Sequence, residues 1–178
     1  MNVQFENQDN VKITIRLATV SDAPTLARLR YIFRSSLSPV CETEEEFVER
    51  CSLWMQARLQ ENTLWRCWIA ERADKPLGHL WLQLIEKVPN PIVEPEHHAY
   101  LTNFYVCEEE RGRGIGSLLL SAALDWSKSQ DVQAVILWPT EESRSLYLRH
   151  GFAVRADLLE LMMAEKESAI GQSEGQSG

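Results

Sequence analysis

Apolar and polar residues alternate over residues 13–17, the period-2 pattern of a strand with one buried face. The spacing then turns helical. Ser21-Asp22-Ala23-Pro24 joins a capping residue to a proline suited to a first turn, and Leu26, Leu29, Ile32 and Phe33 follow on one face. Thr43-Glu44-Glu45-Glu46 has the spacing of a capping box, with Phe47, Cys51, Trp54 and Met55 as the apolar stripe of a second helix. Two strands, over residues 65–71 and 77–85, are joined across Arg72-Ala73-Asp74-Lys75-Pro76 as a hairpin. Residues 88–96 are proline-rich and predict an irregular loop, and residues 100–106 predict a fourth strand. Ile115, Leu118, Leu119, Ala122 and Trp126 mark a third, strongly amphipathic helix. A fifth strand over residues 134–138 is ended by Pro139, and a short helix over 142–149 is stopped by Gly151, a natural left-handed cap. Residues 152–163 predict one or two closing strands. The order is β-α-α-β-β-β-α-β-α-β, a mixed α/β domain without internal repeats.

Composition narrows the partners. The chain has 178 residues, enough for one domain with a sizeable core, and 44% apolar with 25% charged residues is a soluble globular balance. Residues 1–10 are polar and read as a flexible N-terminus, residues 11–164 as the domain, and residues 165–178, rich in Glu, Ser, Gly and Gln, as a disordered tail. No apolar run is long enough to cross a bilayer and the first residues are not signal-like, so a membrane role is not expected. A formal net charge of −8 repels phosphate backbones and argues against nucleic acid. The four cysteines, Cys41, Cys51, Cys67 and Cys107, have neither pairing nor metal-ligand spacing, and the His97-His98 doublet lacks a third ligand. Reduced thiols in a cytoplasmic protein, and no metal, are the expectation.

One motif carries chemistry. Arg111-Gly112-Arg113-Gly114-Ile115-Gly116-Ser117 lies between the fourth strand and the third helix. Glycines there allow successive N–H groups to turn toward one point, and the helix aims its unpaired N–H groups the same way. With two arginines beside it, the turn reads as a site for a phosphorylated ligand. A P-loop is excluded because the chain has no Gly-Lys pair. A dinucleotide fingerprint would need glycine at Ser117 and a place in the first βα unit.

Arg111-x-x-Gly114-x-Gly116 instead resembles the signature of the GNAT superfamily of acyl-CoA-dependent N-acyltransferases. The preceding Thr102-Asn103-Phe104-Tyr105-Val106, the following Leu118-Leu119-Leu120, Leu137-Trp138-Pro139, Ser145-Leu146-Tyr147 and His150-Gly151-Phe152 extend the resemblance over most of residues 100–152. It implies a mixed, mostly antiparallel sheet of six to seven strands, flanked by four helices and splayed between the fourth and fifth strands of the prediction, where Pro139 would stop pairing. It implies acetyl-CoA as co-substrate and an amine-bearing acceptor, and leaves room for a homodimer. The diphosphate would rest on Arg111, Gly112, Arg113, Gly114, Ile115, Gly116 and Ser117, and the pantetheine along the backbone of Phe104, Tyr105 and Val106.

Acetyl transfer to an amine needs a neutral amine, a stabilised oxyanion and a proton for the departing thiolate. By resemblance, Tyr147 is the proton donor and a fourth-strand amide, that of Val106, faces the oxyanion; packing against the sheet accounts for Tyr147 as well. Candidate bases are His79, His97, His98, Glu94 and Glu96, with Asn103 as a residue that could position water. The acceptor would meet residues 33–58 and 88–99, where Glu42, Glu44, Glu45, Glu46 and Glu49 form either an acidic rim for a cationic amine or a solvated helix face. Trp54, Trp65 and Trp81 would line an apolar pocket or simply pack in the core. Two further readings stay open: a non-catalytic acyl-CoA sensor of the same fold, and transfer of a longer acyl group.

Overall fold

A six-stranded sheet in the order β1-β2-β3-β4-β5-β6 runs through the computed structural model of the chain, which describes residues 3–6, 12–61 and 63–163. The strands are β1 (Val3–Glu6), β2 (Lys12–Leu17), β3 (Trp65–Arg72), β4 (Lys75–Glu86), β5 (His97–Val106) and β6 (Val132–Ile136). Neighbours are antiparallel up to β5. β6 lies parallel to β5 because helix α3 (Ile115–Ser129) crosses over between them. Helices α1 (Ala23–Ser35) and α2 (Glu44–Arg58) cover one face, where Ala23, Leu26, Ala27 and Met55 meet Cys67, Ile69 and Trp81. Helices α3 and α4 (Glu141–Arg149) cover the other, where Ile115, Leu119, Leu120 and Tyr147 meet Ile13, Ile15, Trp68, Leu80 and Leu82.

Local signals place the helices. α2 starts on the Thr43/Glu46 capping box and α4 on Thr140, whose side chain accepts from the Ser143 N–H. Pro24 stands in the first turn of α1, and Gly151 takes φ +87° after α4. The β3–β4 hairpin is tighter than the five-residue connection expected. Ala73 (φ 47°) and Asp74 (φ 62°) alone make the turn, the paired positive φ values that match the twist of a two-residue hairpin.

Of the six to seven strands expected, five form and the closing ones do not. Residues 152–163 hold no strand, and Leu159, Leu161 and Met163 are exposed. Their apolar residues come in adjacent pairs, Leu158-Leu159 and Met162-Met163, which alternation cannot put on one face. β1 was not expected, because it falls in residues read as a flexible N-terminus. The expected disordered tail, 165–178, lies outside the described residues.

β5 starts earlier than its apolar pattern suggests and takes in the His97-His98 doublet. It pairs with β6 only from His97↔Val132 to Tyr100↔Ile136. Beyond Tyr100 the two strands part. The cause is a bulge in β5: the register with β4 shifts between His79 and Trp81, and Asn103 sits at φ 46°. Pro139 lies three residues past the end of β6, so it is not what ends the pairing. Where the strands separate, Trp138 stacks edge-on against Tyr100 with ring centroids 5.1 Å apart.

Past the bulge β4 and β5 approach closely. A Cβ on Gly78 would lie 2.5 Å from the Tyr105 carbonyl oxygen and 3.0 Å from the Val106 Cα. Both are backbone atoms, so nothing can rotate away. Gly78→Ala is expected to destabilise the fold by about 2 kcal/mol by forcing the strands apart; a urea melt checks it, and an unchanged midpoint would show that β5 yields freely here.

Candidate functional site

The glycine turn leaves backbone donors uncovered. Gly112 (φ 75°) and Gly114 (φ 80°) are left-handed, and a Cβ on either would meet nothing within 4 Å. Gly114 is the N-cap of α3 and has no side chain to cap with, unlike the threonines of α2 and α4. The first helical bond of α3 runs from Leu118 N to Gly114 O, so the N–H groups of Ile115, Gly116 and Ser117 have no intrahelical acceptor. They point out of the positive end of a helix dipole, a ready anion site. Gly116 faces inward: its Cβ position is 3.4 Å from Leu146 and 3.6 Å from Phe104.

The arginines of the turn are held by neighbouring groups. Arg111 Nε donates to Val106 O at 3.2 Å, and its Nη1 lies 3.6 Å from Glu108. Arg113 pairs with Glu110 at 3.3 Å, and Glu110 is gripped by both nitrogens of Arg72 at 2.9 Å. The Arg72 guanidinium, followed by Arg113, holds the Glu110 carboxyl below its usual range. These pairs fix the approach to the turn and keep positive charge beside it.

The edge of β5 lies next to this turn. Cys107 N donates to Leu77 O, so residues 107 and 105 exchange bonds with β4. By alternation the N–H and C=O of Val106, and the same-parity groups of Phe104, point to the side that β6 has left. The Tyr105 side chain turns to the other face and packs on Phe33 with centroids 5.2 Å apart. Along that edge the Val106 carbonyl accepts from Arg111 Nε, and Tyr105 spends its backbone groups on β4.

Tyr147 projects from α4 into the α3/α4 side of the same region. It is 7% exposed and packs against Phe104 (6.3 Å) and Phe152 (5.6 Å). Burial pushes its phenol up to about 12, with Ser143 pulling slightly the other way. It is therefore a neutral O–H donor throughout the physiological range.

The basic candidates fare differently. His79 is fully buried on β4 opposite Tyr105, and neither ring nitrogen makes a well-formed hydrogen bond among the described residues, although the Asn103 backbone is near enough to favour its charged form weakly. Burial, followed by the Arg30 charge, lowers it to about 3, far too weak to take a proton from an ammonium near neutrality. His97 and His98 sit at the start of β5, opposite Glu86 and Ile85, at the end of the strand away from the bulge. Glu94 is engaged by Lys87 Nζ at 2.9 Å and by Asn90, which hold its carboxyl low. Glu96 O accepts from Lys87 N at 2.8 Å, closing the same loop. Asn103 Oδ1 accepts from Arg30 Nη1 at 2.9 Å, so it is tied to a side chain 73 residues away.

The acidic run at α2 is largely spoken for. Glu42 pairs with Arg50 (2.6 Å), Glu44 with Arg28 (2.9 Å), and Glu46 closes the capping box. Trp54, Trp65 and Trp81 form one aromatic cluster with centroids 5.2 to 6.2 Å apart, running from Trp81, 1% exposed in the core of the α1/α2 face, through the partly buried Trp65 to Trp54, 40% exposed at the surface. The residue that sequence reasoning passed over is Arg30. It interrupts α1 between Leu29 and Phe33, at the border of the apolar stripe, and that position is the signal it gave. Among the described residues no cluster of three His, Cys, Asp or Glu side chains is arranged to hold a metal, and no helix is long and apolar enough to cross a membrane.

A sheet parted beside an uncapped, glycine-led helix is the arrangement the site presents. The sequence model of the acetyltransferase (GNAT) family matches residues 26–152, and the chain belongs to that family. Solved structures agree in fold. A GCN5-related N-acetyltransferase from Ralstonia eutropha JMP134 is 22% identical over 85% of this chain and 99% of its own, with TM-score 0.67. A protein from Clostridium acetobutylicum, described as an acetyltransferase on prediction and crystallised with acetyl-CoA, is 22% identical over 84% and 96%, with TM-score 0.68. A ribosomal-protein-alanine N-acetyltransferase from Brucella melitensis is 18% identical over 86% and 99%, with TM-score 0.63. No curated protein matches the chain by sequence.

His79 gives the fold an acid-sensitive point. Its folded pKa is depressed from 6.5 to about 3, so between these values the unfolded chain binds a proton that the folded chain does not. Stability is unaffected above pH 6.5 and falls by about 1.4 kcal/mol per unit below it. Urea melts at pH 7.5 and 5.5 should show a loss in the wild type that exceeds that of His79→Phe by about 1 kcal/mol. Equal losses would place the acid sensitivity elsewhere.

Proposed function

We propose that the protein is an N-acetyltransferase that moves an acetyl group from acetyl-CoA to a primary amine by direct attack in a ternary complex. The observation that carries the reading is the uncapped N-terminus of α3 lying beside the unpaired edge of β5. The residues suit the group: three free helix N–H groups and the open space at Gly112 and Gly114 match a diphosphate, and the edge groups of Phe104 match an amide-bearing pantetheine arm, with the Val106 carbonyl taken by Arg111 Nε and its N–H left for the acetyl end. Acetyl-CoA supplies an acetyl group already activated as a thioester. Arg111 and Arg113 add positive charge at the diphosphate, drawn from their glutamate partners. Four unpaired thiols suit a reducing compartment, and we place the protein in the cytoplasm.

The chain's own groups then divide the work. The Val106 N–H donates to the carbonyl oxygen as negative charge develops there. Tyr147 donates its O–H to the departing sulfur. A phenol near 12 facing a thiolate whose conjugate acid lies near 8.5 would lose its proton only against a gap of about 3.5 pKa units. Tyr147 therefore acts through a hydrogen bond that stabilises the thiolate, and the proton comes from solvent after release. With His79 too weak a base and Glu94 engaged, the amine enters already neutral; as its nitrogen bonds to the carbonyl carbon and the C–S bond breaks, the surplus nitrogen proton passes to solvent, which returns one to the thiolate.

Two measurements test this assignment. Gly114→Glu is expected to abolish CoA binding in calorimetry, because a carboxylate would stand where the diphosphate charge goes; unchanged affinity would remove the turn from the site. Tyr147→Phe should lower kcat by about 100-fold with CoA affinity nearly unchanged, and wild-type kcat should not decline up to pH 10 through loss of the phenol proton. Equal turnover in the variant, with chemistry rate-limiting, would leave Tyr147 as packing alone.

A further inference from the structure

We propose that the α1/α2 side of the parted strands takes an amine whose molecule also carries an anionic group, a carboxylate or a phosphate, held by the Arg30 guanidinium. The inference rests on the acetyltransferase reading and names the substrate class for it. Arg30 is half-buried where α1 meets the β5 bulge, over the ring of Phe33 at 6.0 Å and bonded to Asn103. A guanidinium has five N–H donors, and among the described residues only one of Arg30's is used. No carboxylate lies within ion-pair distance of it among those residues; the half-buried Arg58 and Arg66 also lack one but spend their donors on backbone carbonyls, whereas Arg16, Arg28, Arg50, Arg72, Arg111 and Arg113 each have an acid.

In a chain of net charge −8, a half-buried arginine without an acid is conspicuous. Taking a cation out of water is costly unless it is paired. Its surroundings make matters worse: burial and then Arg34, one turn further along α1, disfavour its charge. The planar fork left unused suits two oxygens of one anion. Its position is equally specific, because Asn103 occupies the bulge that turns β5 away from β6.

A second observation lies on the same face. Among the described residues His79 is 0% exposed with no well-formed hydrogen bond, the Asn103 backbone of the bulge being the polar group nearest to serving it, and Trp81 Nε1 is buried without an acceptor. Buried donors without acceptors are rare and mark where a polar ligand or water is received. His79 stays neutral there, so it offers a hydrogen bond without opposing the anion. Of the acidic run at α2, which would favour a cationic acceptor, Glu42, Glu44 and Glu46 are engaged with Arg50, Arg28 and Thr43, and the exposed Glu45 and Glu49 remain.

The test is thiol release from acetyl-CoA with amines in matched pairs: phenylalanine against phenethylamine, alanine against ethylamine, and O-phosphoethanolamine against ethanolamine. In at least one pair the anionic member is expected to have a kcat/KM about 10- to 100-fold higher. Arg30→Gln should erase that advantage through KM, Arg30→Lys should keep part of it, and both should bind CoA like the wild type, which reports an intact fold. Neutral amines turned over as well as their anionic partners, or an unchanged KM for the anionic member in Arg30→Gln, overturns this inference and leaves the acetyltransferase reading standing. CoA binding without acetylation of any amine overturns both.

Discussion

Backbone hydrogen bonding sets the terms for this protein. A sheet of six strands satisfies its N–H and C=O groups by pairing, yet β5 leaves β6 after Tyr100 and carries an unpaired edge into the interior. Everything around that edge answers to it. The bulge at Asn103 redirects the strand, Gly78 lets β4 follow closely on the paired side, and α3 begins on a glycine so that its own free donors sit at the end of the same edge. Two sets of obligatory donors and acceptors, one from a strand and one from a helix, become a continuous polar track. The side chains beside it are mostly apolar or committed to other partners, so recognition of the donor substrate falls largely to the main chain.

Charge is distributed to the same end. The chain is acidic overall, and some of its carboxylates are taken up locally by capping or pairing: Asp22 with Arg16, Glu42 with Arg50, Glu44 with Arg28, Glu110 with Arg72. Among the described residues, most of what remains unpaired is acidic and lies on the surface; beside the strand edge the charge is cationic, with Arg111 and Arg113 held by glutamates near the glycine turn and Arg30 left without an acid. An acidic exterior around basic interior points favours small anions over polyanions, since a nucleic acid would have to meet the whole surface.

The helices and the glycine turn were legible because their determinants are local. Thr43 and Glu46 are three residues apart, and Gly112, Gly114 and Gly116 lie within one turn. What could not be read depends on residues far apart in sequence. Arg30 and Asn103 meet across 73 positions, and the need for glycine at 78 exists only because Tyr105 and Val106 lie against it. The bulge at Asn103 was not foreseen from residues 100–106, which read as one unbroken strand. The closing strands failed for the converse reason: the residues are apolar enough, but their pairing in twos defeats alternation and they find no ladder. The acidic run at α2 looked like a rim until its arginine partners, 8 and 16 residues away, came into contact.

The contact between Tyr100 and Trp138 has an optical consequence. Trp138 is 56% exposed and stands where β5 and β6 separate, whereas Trp68 and Trp81 are buried. Its indole therefore emits from a wet environment while these two emit from dry ones. Anything that enters between the strands must displace water from that ring or from Tyr100 beneath it. The fold thus carries an intrinsic fluorophore at the mouth of its own gap, and a blue shift in emission would time the filling of the gap without any label.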